Sequence, residues 1–200
     1  GYIGTNLVQR LLHSPCPIRA SARNREVLEG RDWPGVELVE ADALKAETLG
    51  AALGDVDVAY YLVHSMASGS DFPRLDRQAA ANFALAASKA GVRRIVYLGG
   101  LLPSQPVSEH LRSRRETGDI LRAGEVPVTE IRAGMIVGPG SAAFEVIRDL
   151  VNHLPLMLTP RWVYTRSSPI ALDNLLEYLL RVPYLEQTAG NTYDVGGPEV

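Results

Sequence analysis

The chain has 200 residues, 46% of them hydrophobic, enough for one domain with a proper core. Its net charge is −3 with both signs interspersed, which excludes a nucleic-acid surface as its main business, and no apolar run reaches the roughly 18 residues of a membrane span. A single cysteine, Cys16 between Pro15 and Pro17, has no disulfide partner within the chain, and the opening residues do not read as a secretory leader, so a reducing, cytoplasmic setting is expected.

A first helix carries Ile3, Leu7, Val8, Leu11 and Leu12 on one face, behind an entrance with glycines at 1 and 4. Residues 17–22 read as a short strand followed by an Arg23-Asn24-Arg25 loop, and 36–41 as a second strand that closes on Asp42. Leu44, Leu49, Ala52 and Leu53 mark a helix. Residues 56–63 are nearly all apolar, as in a strand covered on both faces, and His64 stands just past their carboxyl end. The next helix, 71–90, places Leu75, Ala79, Phe83, Ala86 or Ala87 and Ala90 on one side and stops at Gly91. A buried strand at 94–98 ends on Gly99-Gly100, a helix spans about 109–123, and a strand returns at 127–131. Gly134 and Gly138-Pro139-Gly140 break the chain after that strand. Phe144, Ile147, Leu150, Val151 and Leu154 mark another helix, 161–164 an extended piece, 172–180 a helix with Asp173 near its start, and 192–195 a last strand.

Strand and helix alternate throughout, so the predicted fold class is α/β, a doubly wound parallel sheet of Rossmann-like type. One domain is expected over 1–200, with 140–200 supplying a small substrate-side portion. Ligands of such sheets sit at the carboxyl ends of the strands, where the strand order reverses. Gly1-Tyr2-Ile3-Gly4 at the entrance of the first helix is half of a pyrophosphate cradle. Its glycines let backbone N–H groups approach a phosphate, and the helix N-terminus adds unsatisfied donors and partial positive charge. A turn of this kind is fed by a central strand that no residue before Gly1 supplies. The sequence therefore reads as a fragment lacking the first central strand of its sheet.

Several stretches together resemble the NmrA-like, atypical short-chain dehydrogenase/reductases over essentially the full length. They are Gly1-Tyr2-Ile3-Gly4, Ala41-Asp42-Ala43-Leu44, residues 57–62, residues 94–100, and Ile131-Arg132-Ala133-Gly134 with Gly138-Pro139-Gly140. Pro169-Ile170-Ala171-Leu172-Asp173-Asn174 and Tyr193-Asp194-Val195-Gly196-Gly197-Pro198 extend the likeness. The resemblance implies a nicotinamide dinucleotide bound across the sheet. Gly1 and Gly4 match the second and third glycines of the family's Gly-x-x-Gly-x-x-Gly, with Tyr2 and Ile3 between them. Asp42 is expected at the adenine, Leu62, Val63, His64 and Ser65 near the nicotinamide ribose, and Ala43 and Gly99 among the cofactor-binding residues.

A carboxylate after the second strand of such folds binds the ribose hydroxyls of NAD, whereas an arginine there clamps the 2′-phosphate of NADP. This chain has Ser21, Arg23 and Arg25 in that region and no acid before Glu26, which favours NADP over NAD; a solvated loop is the alternative. The family's reductases carry Tyr-x-x-x-Lys on a helix and a serine after the preceding strand. Here His110 stands at the tyrosine position, Arg114 at the lysine position, and Gly99 or Gly100 at the serine position.

Histidine exchanges a proton near neutral pH, whereas arginine stays charged, clamps ribose or phosphate, and lowers the pKa of a close imidazole. The alternative places His110 and Arg114 with Arg112 and Arg115 on an exposed basic face. No metal-site spacing and no Gly-x-Ser-x-Gly elbow is present. Residues Pro160-Arg161-Trp162-Val163-Tyr164 are expected as a wall of the substrate cleft, or with Trp162 in the core.

Two functions fit. One is an NADP-dependent oxidoreductase acting on a small carbonyl or enone, with His110 as proton donor. The other is a non-catalytic, dinucleotide-binding redox sensor that acts through a protein partner. The partner is thus a small-molecule substrate or a regulatory protein, and neither nucleic acid nor membrane.

Overall fold

Apolar side chains alternate along each central strand, and that alternation builds two cores. On one face of the sheet Ala59, Tyr61, Ile95, Tyr97 and Val128 pack with Leu49, Leu53, Ala80, Phe83, Ala84, Ala87 and Leu121. On the other, Val96, Leu98, Ile131 and Ala133 meet Leu7, Leu172, Leu175, Leu176 and Leu179. Neighbours in sequence thus go to opposite layers, as a period of two requires. Each wholly buried Ile or Leu removes enough apolar surface from water to contribute about 1.5–3 kcal/mol.

The computed structural model describes residues 1–64, 71–102, 108–153 and 168–198. In chain order the elements are α1 (Tyr2–Leu11), β1 (Arg19–Ala22), α2 (Arg25–Glu29), β2 (Glu37–Glu40), α3 (Ala46–Leu53) and β3 (Val58–Tyr61). Next come α4 (Phe72–Lys89), β4 (Arg94–Gly100), α5 (Glu109–Arg122), β5 (Val128–Ala133), β6 (Ile136–Val137) and α6 (Ala142–His153). The last are β7 (Ile170–Ala171), α7 (Leu172–Arg181) and β8 (Thr192–Val195). Every strand pair among the described residues is parallel. The order is β3-β4-β5-β8 in the main sheet, with β1-β2 and β6-β7 as separate pairs. Helices cover both faces, α3, α4 and α5 on one and α1 and α7 on the other, so the chain is α/β and doubly wound.

Several boundaries differ from those expected. The loop at 23–25 holds the start of α2, because the Asn24 side chain accepts from the Glu26 N–H at 2.8 Å and caps a short helix. Leu44 lies before α3, since Asp42 Oδ1 accepts from its N–H at 3.0 Å and bends the chain there. Strands β4 and β5 run on to Gly100 and Ala133 because their pairing continues in register, Gly99 opposite Arg132 and Gly100 opposite Ala133. The two-residue pair β6-β7 is too short to show a period, and the piece at 161–164 lies outside the described residues.

Two packing details place the functional edge. Helix α4 turns Asp76, Ala79, Ala80, Phe83, Ala84 and Ala87 inward, with Asp76 buried and Leu75 only half-buried. Facing it, α5 buries Ser113, Thr117, Gly118 and Leu121, and this small-residue contact lets the helices lie close. At the entrance of α1, the Tyr2 hydroxyl donates to the Pro139 carbonyl at 3.0 Å. Gly138 has no room for a side chain there: a Cβ would lie 2.8 Å from Leu172 Cβ and 3.0 Å from the Tyr2 hydroxyl.

Candidate dinucleotide and proton-transfer site

The opening turn keeps its backbone available. Gly1 caps α1 with no side-chain hydrogen bond, the first turn holds no acid, and the space where a Gly1 Cβ would be is open. A Cβ on Gly4 would touch Leu62 at 3.7 Å, so the first turn of α1 rests on the end of β3. The side chains between the glycines serve the fold, Tyr2 through Pro139 and Ile3 through the α1–α7 core. What the turn can offer a diphosphate is its free N–H groups and the helix dipole, which is what such a cradle needs. Val63, 47% exposed, and exposed His64 continue from β3 along the same edge.

Beyond β1 and β2 the predicted contacts divide. Arg25 pairs with Glu29 at 2.8 Å, whereas exposed Arg23 makes no hydrogen bond or ion pair among the described residues. Asp42 is engaged in its own turn through Leu44 N–H, and its backbone N–H donates to Thr48 Oγ1 at 2.9 Å. Ala43 is buried, and its carbonyl accepts from the Asn82 side chain at 2.9 Å.

A second group assembles where β3 and β4 end against α4 and α5. Ser108 accepts from the Leu111 N–H at 3.2 Å and starts α5, which then turns His110, Ser113, Arg114 and Thr117 inward and Arg112 and Arg115 outward. The expected exposed basic face therefore holds Arg112 and Arg115 without His110 and Arg114, because three- and four-residue spacings follow the apolar stripe that α4 covers. The His110 ring lies 6.4 Å from that of Phe72, and its Nδ1 is buried without a hydrogen-bond partner among the described residues. Arg114 donates to the Leu98 carbonyl at 2.6 Å, and its Nε is buried without a partner. The Tyr97 hydroxyl donates to the Arg114 carbonyl at 2.7 Å. Beneath them Asp76, 5% exposed, accepts from the hydroxyl of buried Ser113 at 3.0 Å.

The electrostatics arise from that packing. Burial holds the His110 pKa below the usual imidazole value, helped by the Arg114 charge and by His64, while Asp76 pulls it back up. His64 is lowered by burial and by Arg114, and again Asp76 opposes. Burial raises the Tyr97 and Tyr61 hydroxyls. At neutral pH the corner thus holds two neutral imidazoles, one guanidinium and one carboxylate.

No serine fits at the end of β4. A Cβ on Gly99 would lie 2.7 Å from Glu130 Oε1 and 3.3 Å from Arg132 Cγ, and one on Gly100 would lie 2.9 Å from Leu111 Cδ2. The place of the family's hydroxyl is already occupied.

The structure thus gathers Gly1, Gly4, Leu62, Val63, His64, Gly99, His110 and Arg114 at one edge of the main sheet, with Arg23, Asp42 and Ala43 following β1 and β2. Sequence reasoning missed Asp76 and Ser113. The available signal was an acid at helical spacing from Ala79, Ala80 and Phe83, on a face otherwise apolar. The expected cleft wall, Pro160 to Tyr164, and Ser65 lie outside the described residues. A buried His110 Nδ1 with nothing to bond and a glycine-opened turn with free N–H groups both fit a ligand that brings polar atoms to this edge.

A doubly wound parallel sheet with a glycine-opened helix at its ligand edge has the dinucleotide-binding α/β fold. The family model described as NAD(P)H-binding matches residues 1–149, and the chain belongs to that family. Its ligand class is accordingly a nicotinamide dinucleotide. No curated protein matches the chain. Among solved structures it is similar to DesIV, the dTDP-glucose 4,6-dehydratase of Streptomyces venezuelae with NAD bound, at 20% identity and TM-score 0.79, covering 100% of this chain and 74% of that one. It is also similar to WbmG of Bordetella bronchiseptica in complex with NAD (19%, TM-score 0.80, 100% and 71%). The triphenylmethane reductase of Citrobacter sp. complexed with NADP(H) gives 21%, TM-score 0.79, 100% and 68%. At these identities the likeness is one of fold.

Proposed function

We propose that the chain binds NADP and moves hydride between it and a small carbonyl or enone, with His110 holding the proton exchanged with the substrate oxygen. The observation that carries this reading is the meeting of His110, His64 and Arg114 at the carboxyl edge of β3 and β4, with the His110 Nδ1 left unbonded. The nicotinamide supplies the hydride when bound. The chain's own residues do the rest: the opening turn binds phosphate through its N–H groups, and His110 accepts the substrate proton as imidazole when an alcohol is oxidised and returns it as imidazolium when a carbonyl is reduced. Arg114, tied to the Leu98 carbonyl, orients the corner without shuttling a proton. Uncommitted Arg23 supports NADP over NAD. Residues 140–200 supply the substrate side, and one exposed free cysteine suits a reducing cytoplasm.

Titration of the protein with NADPH and NADH tests this first. NADPH is expected to bind about tenfold or more tightly, and Arg23→Glu to erase the difference, since a lost charge-assisted clamp is worth about 1.5–3 kcal/mol. Tighter NADH binding overturns the cofactor assignment. Cofactor absorbance followed with a panel of carbonyl compounds and enones then tests turnover, which His110→Gln abolishes.

One observation favours a second reading. The serine position is filled by Glu130 and Leu111, and the guanidinium at the lysine position is held by a backbone carbonyl. A redox sensor needs cofactor binding without those groups. NADPH binding with no turnover, and a partner protein captured differently by the NADP and NADPH forms, supports that reading.

A further inference from the structure

We propose that Asp76, held by Ser113 beneath His110, is a positioning residue that fixes the inner face of α5 and sets a negative charge toward the two imidazoles. The inference rests on the proposed function only in treating this corner as a site.

Asp76 is an acid on an otherwise apolar helix face, in line with Ala79, Ala80, Phe83, Ala84 and Ala87. A carboxylate there costs several kcal/mol unless polar partners repay it, and an alanine or leucine would pack without that cost. One partner that the fold provides is Ser113, itself 1% exposed, at 3.0 Å. Ser113 precedes Arg114 and lies one helical turn beyond His110, while Phe72 lies one turn before Asp76 on α4. Two contacts a turn apart, Phe72 on His110 and Asp76 on Ser113, therefore set how α5 presents its imidazole.

Among the described residues Asp76 is bonded by Ser113 of α5 and acts on Tyr61 from β3, His64 after it, Tyr97 from β4 and His110 from α5, while Arg114 of α5 acts on the same two histidines. Arg77 and Glu116 pair with each other on the outer rim at 2.8 Å. Both tyrosines stay neutral, so the fixed charges are Arg114 and Asp76. Arg114 opposes protonation of either histidine and Asp76 favours it. Neutralising Asp76 removes the favourable neighbour, and both imidazoles must then take up a proton at lower pH.

NMR titration of the His110 and His64 ring protons in the full chain, without cofactor or substrate, tests this directly. In Asp76→Asn both midpoints are expected to fall, by less than about one pH unit for His110, on which Asp76 acts more weakly than burial, Arg114 or His64. Ser113→Ala keeps the carboxylate and is expected to shift His110 by less than half as much. Unmoved midpoints in folded Asp76→Asn overturn the proposal. If Asp76→Asn does not fold, Asp76→Glu decides: retained fold and midpoints support the role of that charge, whereas displaced midpoints or a failure to fold make Asp76 a packing residue only. NADPH binding is measured on the same samples. Its failure in the unsubstituted protein overturns the cofactor reading and leaves the titration result standing.

Discussion

Helix α5 rests on a buried acid near each end, and the two surroundings differ in kind. Near its carboxyl end Glu130, 1% exposed, meets Arg122 and Arg132, the latter at 3.0 Å, with Gly99 and Gly118 pressed against the carboxylate. Near its amino end Asp76 accepts from a serine and acts on two imidazoles, on which Arg114 acts with the opposite sign. Guanidinium charge does not change at any pH a protein survives, so the partners of Glu130 keep a fixed charge and serve the fold. Imidazole charge changes near neutrality, so the Asp76 corner has several states and can serve chemistry. Burial of an acid is common to both; what separates structure from function is whether its neighbours titrate.

The largest test of that contrast is Glu130→Ala. It leaves two guanidiniums facing an apolar hole, and urea unfolding is expected to show a loss of about 2–3 kcal/mol. That is below the about 3–5 of a fully buried pair, because the arginine side chains remain 25% and 22% exposed and can reach water. The histidine midpoints stay where they are. A shift in them would merge the two corners into one network.

A smaller effect is expected from Gly99→Ala, whose Cβ must displace the Glu130 carboxylate, at about 1–3 kcal/mol in thermal unfolding. Gly100→Ala meets the flexible end of Leu111 and is expected to cost less. Equal costs would deny that Glu130 is rigidly held.

The smallest effect is in the pH dependence of stability. His110 and His64 are both lowered in the folded chain, so between their folded values and the unfolded value of about 6.5 the unfolded chain binds more protons. Their contribution is thus complete above about pH 6.5 and is lost as pH falls through the folded values. Melting temperatures from pH 7.5 to 5 are expected to decline, and less steeply in His110→Gln. An unchanged slope would place the imidazole in water.

Much of this was legible in the chain order of residues. Apolar runs announced the strands at 58–61 and 94–98, although the first is shorter than its run of 56–63 because Asp57 and Val63 are exposed, and a glycine-opened amphipathic helix before them pointed to a doubly wound sheet. Periodicity is local, so alternation, fold class, the cradle turn and the place of His110 and Arg114 on a helix were all readable. The same local reading assigned Asp76 no role and left the glycines at 99 and 100 as a vanished serine.

Which face of α5 looks inward is decided by α4, and why Gly99 has no side chain is decided by Glu130, far along the chain on the neighbouring strand. Local spacing tells which residues share a face; only the packed helices and strands tell what that face meets. Charge and proton affinity depend on those neighbours, so the chemistry of the corner belongs to the tertiary structure even where its residues were named in advance.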